Sequence, residues 1–378
     1  MSIEETTPSL VMACNTCNKE FPEGTDVCPD DGTRLVPAVP DQLIGTSFAE
    51  RYEILEVIGR GGMSVVYKAR QKFMNNLVAI KILHPQLSSD PGNFERFQQE
   101  AKAAISIRHK NVIQVFDFGV TAAGQAFLIM EYLEGEPLAD YLDKHGSMEI
   151  ERALNIFAQA CDGLSQAHKL GIIHRDLKPG NLVLTKEDGE NELVKIVDFG
   201  IAKLIAPDGS SLQSLTQTGE VFGSPLYMSP EQCQGKPLDA RSDIYSLGCV
   251  MYETITSMPP LMGINSFETM NKHVKEQPLS LRGIAPEKDI PELIDACVLK
   301  ALRKDPDRRH QSMAEMKKAI VEGAQKSRIN IKHTDGYMPK AFTGETGAQQ
   351  VVPEIDQDPK AIAAKENKQM QQLVMDAV

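Results

Sequence analysis

Four short stretches hold the residues best suited to chemistry. His174-Arg-Asp-Leu-Lys-Pro-Gly-Asn181 places a carboxylate, an ammonium and a primary amide within one loop-sized segment. Asp176 can accept the proton of an attacking hydroxyl, Lys178 can neutralise charge on a transferring phosphoryl group, and Asn181 can ligate a divalent cation. Asp198-Phe-Gly200 closes an apolar run, so a carboxylate meets a glycine hinge, which suits a metal ion held between phosphate oxygens. Gly59-Arg-Gly-Gly-Met-Ser64 lies between two strand-like runs, and its glycines let backbone N–H groups approach an anion with no Cβ in the way. Taken alone that stretch is equally a plain hairpin turn, and the strand that follows excludes a dinucleotide-binding turn. Val78-Ala-Ile-Lys81 ends an apolar strand in a cation, which either runs out to water or meets Glu100 on the inward edge of the next helix.

The elements that must position these groups fall in a clear order. Tyr52–Ile58, Val65–Arg70 and Leu77–Leu83 are expected strands. Asp90-Pro91 is a helix start, followed by Phe94, Phe97, Ala101 and Ala104 on one face. Ile150, Leu154, Phe157, Cys161, Leu164 and His168 recur at helical spacing, and Gly171 closes that helix. Leu182–Leu184 and Leu193–Val197 are strand-like around a turn-rich hexapeptide, and Ile244–Ile255 is apolar nearly all round, as a buried helix would be. A strand-rich front half and a helix-rich back half predict an α+β chain of two lobes, with a ligand cleft between them.

Composition narrows the alternatives. The chain has 378 residues, 42 % of them hydrophobic and 24 % charged, an ordinary globular balance. No run of apolar residues is long enough for an integral membrane segment, and the N-terminus lacks the basic and apolar blocks of a secretory signal. A net charge of −12 argues against nucleic acid as a partner. Seven cysteines, three clustered and Cys161, Cys233, Cys249 and Cys297 scattered in apolar surroundings, do not form a secreted disulfide framework. A cytoplasmic location is expected.

With these four motifs in this order, residues 52–322 resemble the eukaryotic-like bacterial Ser/Thr protein kinases. The resemblance implies the two-lobed protein kinase fold, ATP with Mg²⁺ or Mn²⁺, and protein substrates. It implies that Lys81, paired with Glu100, holds the α- and β-phosphates under Gly59, Gly61 and Gly62. Asp176 would be the catalytic base beside Lys178, and Asn181 with Asp198 would hold the metal. Met130-Glu-Tyr-Leu133 resembles the gatekeeper and hinge, with the backbone of Glu131 and Leu133 facing the adenine. Ile58, Val66, Ala79 and Leu184 would wall its pocket. Glu231 of Ser229-Pro-Glu231 would pair with Arg309, and Asp243 would brace the catalytic loop. Ser224 stands where Ser/Thr members usually carry Thr, although the glycine pattern departs from the family at Ser64. Arg175 beside Leu215-Thr-Gln-Thr-Gly219 implies activation by phosphorylation of Thr216 or Thr218, with dimerisation for trans-autophosphorylation. The competing reading is a pseudokinase, a nucleotide-binding scaffold without transfer; Lys81, Asp176 and Asp198, which such proteins usually lose, are all present.

The remaining segments are expected as follows. Residues 1–41 form a zinc-ribbon-like module with Cys14, Cys17, Cys28 and Asp31 as ligands, or a degenerate ribbon in which Asp31 replaces the fourth cysteine and the metal is lost. Residues 42–51 would be a linker, and 323–378 a flexible tail with a short amphipathic helix near its end. Many relatives continue into a membrane helix and a sensor domain; here the input is expected through the module, the tail or a partner.

Overall fold

The structure, a computed structural model, describes residues 12–13, 20–22, 24–27, 36–37, 41–61, 64–84, 91–121, 124–187, 191–199 and 225–331. All lie in the first of two compact units, Met1–Pro339; the second, Lys340–Val378, holds none of them. Cys14, Cys17, Cys28, Asp31, Gly62, Thr216, Thr218, Ser224 and the expected C-terminal helix lie outside the described residues.

Three two-residue strands begin the chain: β1 (Met12–Ala13) pairs antiparallel with both β2 (Glu20–Phe21) and β3 (Val36–Pro37). The main sheet then runs in the order β4-β5-β6-β7-β9-β8, antiparallel throughout. Its strands are β4 (Ser47–Phe48), β5 (Tyr52–Gly61), β6 (Ser64–Gln71), β7 (Leu77–Leu83), β8 (Val115–Val120) and β9 (Ala126–Glu131). Side chains alternate between faces, so β7 sends Val78, Ile80 and Ile82 to one cluster, with Tyr52, Ile54, Tyr67 and Phe127. Ala79 and Leu83 go to the other face, with Ala101 and Ala104 of the helix Pro91–Ser106. Lys81, between Ala79 and Leu83, therefore faces that helix and the cleft.

The stretch 42–51, expected as a linker, is part of this lobe. β4 pairs with β5, Phe48 is buried and meets Phe127 edge-on at 4.9 Å, and Leu43 packs on the same cluster. Its few apolar residues, separated by turn residues, carry no periodicity from which this packing could be read.

The second lobe is helical around one large core. β10 (Gly135–Pro137), β11 (Leu182–Glu187) and β12 (Asn191–Ile196) form a small sheet at its top. The helix Ile150–Lys169 buries one face, and Gly171, at φ +75°, ends it. The helix Ala240–Thr256 is buried almost all round, and Gly248 permits its close approach to the helix Glu292–Ala301: a Cβ there would stand 2.9 Å from that of Ala301. The expected tail begins too early. The last helix among the described residues runs Met313–Lys326, buries Gly323 and Ala324, and is followed by Ile329 and Ile331 packed on the core. Cys161, Cys233, Cys249 and Cys297 are free and buried, and desolvation raises each thiol pKa, to about 12 for Cys233 and Cys297. They are core residues with no thiolate chemistry at neutral pH.

Candidate active site

The loop His174–Asn181 leaves its helix through a backbone held by one buried carboxylate. Asp243, on the buried helix, accepts the N–H of His174 at 2.8 Å and that of Arg175 at 2.9 Å, while His168 Nε2 lies 2.7 Å from the same group. Burial would raise the pKa of Asp243, but His168, His174 and these donors outweigh it and hold it below the ordinary range. Arg175 takes φ +66°, a conformation that costs a non-glycine residue and that the two flanking anchors enforce. His174 is buried, and desolvation lowers its pKa despite Asp243. As a neutral ring its Nε2 donates to the Val197 carbonyl at 2.9 Å, leaving Nδ1 to accept the N–H of Asp176 at 3.3 Å. Its ring also packs on Phe199 at 4.6 Å.

Around Asp176 the polar groups converge. Asn181 Nδ2 donates to the Asp176 carbonyl at 2.7 Å, and Lys178 Nζ lies 3.4 Å from its carboxylate. The Val197 N–H donates to the Asn181 carbonyl at 3.0 Å, which ties the loop to the segment carrying Asp198. Asp198, at φ +57°, receives Lys81 Nζ at 2.6 Å across the cleft. Burial would raise the Asp198 pKa, yet the charge and hydrogen bond of Lys81, with His174 and Lys178, pull it below its ordinary value. Asn181 spends its amide nitrogen on Asp176; its amide oxygen and the carboxylate of Asp198 together make an all-oxygen donor set, suited to a hard divalent cation.

The match to the protein kinase domain covers residues 52–333. The chain belongs to the protein kinase family. It is 40 % identical over 279 residues to the serine/threonine-protein kinase PknB of Mycolicibacterium smegmatis, an alignment covering 72 % of this chain and 43 % of that protein. The kinase pkn3 of Myxococcus xanthus is 38 % identical, with coverage of 76 % and 52 %. The chain thus spans about half the length, or less, of these curated relatives. The crystal structure of the Mycobacterium tuberculosis PknI kinase domain superposes with a TM-score of 0.58 at 26 % identity, covering 74 % of this chain and 98 % of that one.

The other expected kinase features fall around this centre. Met130, Ala79 and Leu184 are buried, Val66 is half-buried and Ile58 is exposed. Leu133 packs beside the cluster that holds Ala79, and the Glu131 carboxylate accepts the Gln114 N–H and Lys195 Nζ, both at 2.7 Å. Gly59 and Gly61 lie on β5. Glu100 lies on the helix that faces Lys81, but its side chain is outside the described part; the described partner of Lys81 is Asp198. Beneath the loop, Arg309 meets Glu231 through two nitrogens, at 2.7 and 2.8 Å. Its remaining donors reach the carbonyls of Arg303, Arg241 and Lys304, so all five N–H groups of this buried guanidinium are used.

Two positioning residues escaped the sequence reading. His168 is assigned by periodicity to an apolar helix face, yet it serves Asp243. Gln232 donates to the Arg175 carbonyl at 2.8 Å and closes a capping box with Ser229. Ser-x-x-Gln is the sequence signal that could have found it.

Proposed function

We propose that this chain transfers the γ-phosphoryl group of ATP to Ser or Thr hydroxyls of protein substrates. The observation that carries the reading is the Asp176 carboxylate, held by a doubly anchored loop beside Lys178 and Asn181 and tied through Val197 to the Lys81–Asp198 pair. Asp176 accepts the proton of the attacking hydroxyl, and Lys178 balances the charge that develops on the phosphoryl oxygens. Lys81 orients the α- and β-phosphates, supported by Glu100. Asn181 and Asp198 would hold Mg²⁺ or Mn²⁺, which supplies charge neutralisation between phosphate oxygens. The backbone of Glu131 and Leu133 takes the adenine, and Ile58, Val66, Ala79, Met130 and Leu184 enclose it.

Further parts of the same reading rest on sequence and placement. Residues 41–331 are the catalytic unit, and phosphate on Thr216 or Thr218 switches it on through Arg175 after encounter with a second copy. Cys14, Cys17, Cys28 and Asp31 make the N-terminal segment, read as residues 1–41, a zinc-binding module. Free, buried thiols favour a reducing cytoplasmic setting.

The test is phosphate incorporation from Mg·ATP into a generic protein, with phosphoamino-acid analysis. Asp176→Asn is expected to lower the rate by roughly 10²- to 10⁴-fold, the range of a lost general base. Equal incorporation by both proteins removes the mechanism, and no incorporation by the wild type favours the scaffold reading.

A further inference from the structure

The residue that joins the N-terminal module to the catalytic unit is bonded to the glycine-rich hairpin. Asp41 Oδ2 accepts from the Tyr67 hydroxyl at 2.8 Å and from Arg60 Nη2 at 3.2 Å, while Oδ1 accepts the Leu43 N–H at 3.1 Å. Its side chain is only 11 % exposed, so the bonds from Tyr67 and Leu43 are partly shielded, while the bond from Arg60 lies open to solvent. Desolvation first, then the bond to Asp41, pushes the Tyr67 phenol far up, so it is a donor at every working pH.

The register shows what this contact holds. Arg60 pairs with Val65 across the hairpin, and Tyr67 is two residues beyond Val65, so Arg60 and Tyr67 share a face. That face carries Val57, Val65 and Tyr67 in the outer cluster, whereas Val66 packs on the opposite side with Ala79 and Met130, toward the cleft. Asp41 therefore pins one residue of each hairpin strand from outside, leaving the cleft face free. The clasp is anchored in turn: the Gly45 N–H donates to the Ile54 carbonyl and the Ile54 N–H to that of Thr46, so segment 41–48 cannot slide along the sheet.

We propose that Asp41 is a positioning residue for the nucleotide, stapling the two strands of the glycine-rich hairpin so that ATP affinity depends on it. The inference rests on the kinase reading above. A stapled hairpin loses less conformational freedom when it closes on phosphates, so the staple tightens ATP without touching the transfer step.

The experiment compares full-length wild type, Asp41→Asn, Arg60→Gln and the double variant for KM of ATP, kcat at saturating ATP and thermal midpoint. Each single variant is expected to raise KM roughly three- to tenfold, the equivalent of losing one charge-assisted contact, with kcat held within about twofold. The double variant should be no worse than Asp41→Asn alone, because both remove one interaction. An unchanged KM overturns the proposal. So does a fall in kcat that tracks a fall in the thermal midpoint, which is what a merely structural contact would give. If the wild type transfers no phosphate, it is the kinase reading that fails, and calorimetric titration of ATP into the same variants still tests the staple.

Discussion

Below the cleft, Asp176 sits on a loop whose backbone is tied at two consecutive residues to Asp243, with His168, His174 and Gln232 filling the remaining bonds. Above it, Lys81 is placed by the two-residue alternation of β7, and its described charged partner, Asp198, lies across the cleft. The lower wall is over-determined and largely buried. The upper wall is a sheet that meets the lower wall, among the described residues, through the Lys81–Asp198 pair. A phosphoryl-transfer site needs both: a fixed base for the incoming hydroxyl, and a nucleotide wall that can admit ATP and release ADP.

The largest effect should come from breaking the scaffold under the lower wall. Glu231→Ala leaves the Arg309 guanidinium buried and half unpartnered, and the loss of one partner of a buried ion pair costs about 3–5 kcal/mol. Urea unfolding reads this directly. A loss below about 1 kcal/mol would mean that the lower lobe is not the rigid half.

Acid should weaken the same lobe. His273 is buried beneath the segment Pro225–Tyr227, its Nδ1 2.8 Å from the Tyr245 hydroxyl, and desolvation with Lys304 lowers its pKa to about 4. The unfolded chain binds the proton near pH 6.5 and the folded chain only near pH 4, so stability falls as pH drops between those values. The span corresponds to about 3 kcal/mol at most. Unfolding free energies measured across that window should lose part of this slope in His273→Gln, the remainder coming from His109, His174 and His310, whose pKa values are lowered too. Asp243 and Glu231, held below their ordinary values, contribute stability that is present above pH 4–5 and is lost at more acid pH, from the lower end of this window downward.

A smaller change separates the walls functionally. Asp243→Asn turns one acceptor oxygen into a donor facing a backbone N–H, a mismatch of about 1–3 kcal/mol. The kcat should fall roughly five- to 150-fold by that energy while KM for ATP stays near wild type, because the upper wall is untouched. Equal changes in both parameters would show that the walls are not independent.

How much of this was legible follows from the range of each interaction. Lys81, Asp176, Asn181 and Asp198 could be read because the chemistry is carried by local motifs on elements whose periodicity is strong. The Glu231–Arg309 pair and the bracing by Asp243 came only through resemblance, since partners far apart in sequence leave no local pattern. Asp41 had neither aid: it lies outside the resembling stretch, and Arg60 and Tyr67 belong to a hairpin whose glycines drew attention to the opposite face. The early start assigned to the tail has a similar cause, because the sequence turns polar from about residue 323, yet Gly323 is a close-packing residue: a Cβ would stand 2.7 Å from Ile294 Cδ1.

The outer edge of the upper lobe sets the lower limit of the comparison. Arg51 and Asp117 form an ion pair at 3.3 Å with side chains 54 % and 46 % exposed. Coulomb attraction at such exposure is screened and offset by the entropy of holding two mobile side chains, so a pair of this kind contributes about 0–1 kcal/mol. Asp117→Asn preserves shape and should change unfolding free energy by less than about 0.5 kcal/mol, shrinking further at high salt. The contrast with Asp41 is the informative part. Both are single carboxylates of the upper lobe facing an arginine, but Asp41 is nearly enclosed and also bonds a buried tyrosine. A salt titration of both variants should leave the effect of Asp41→Asn standing after that of Asp117→Asn has vanished, and equal salt sensitivity would place the Asp41 clasp among ordinary surface pairs.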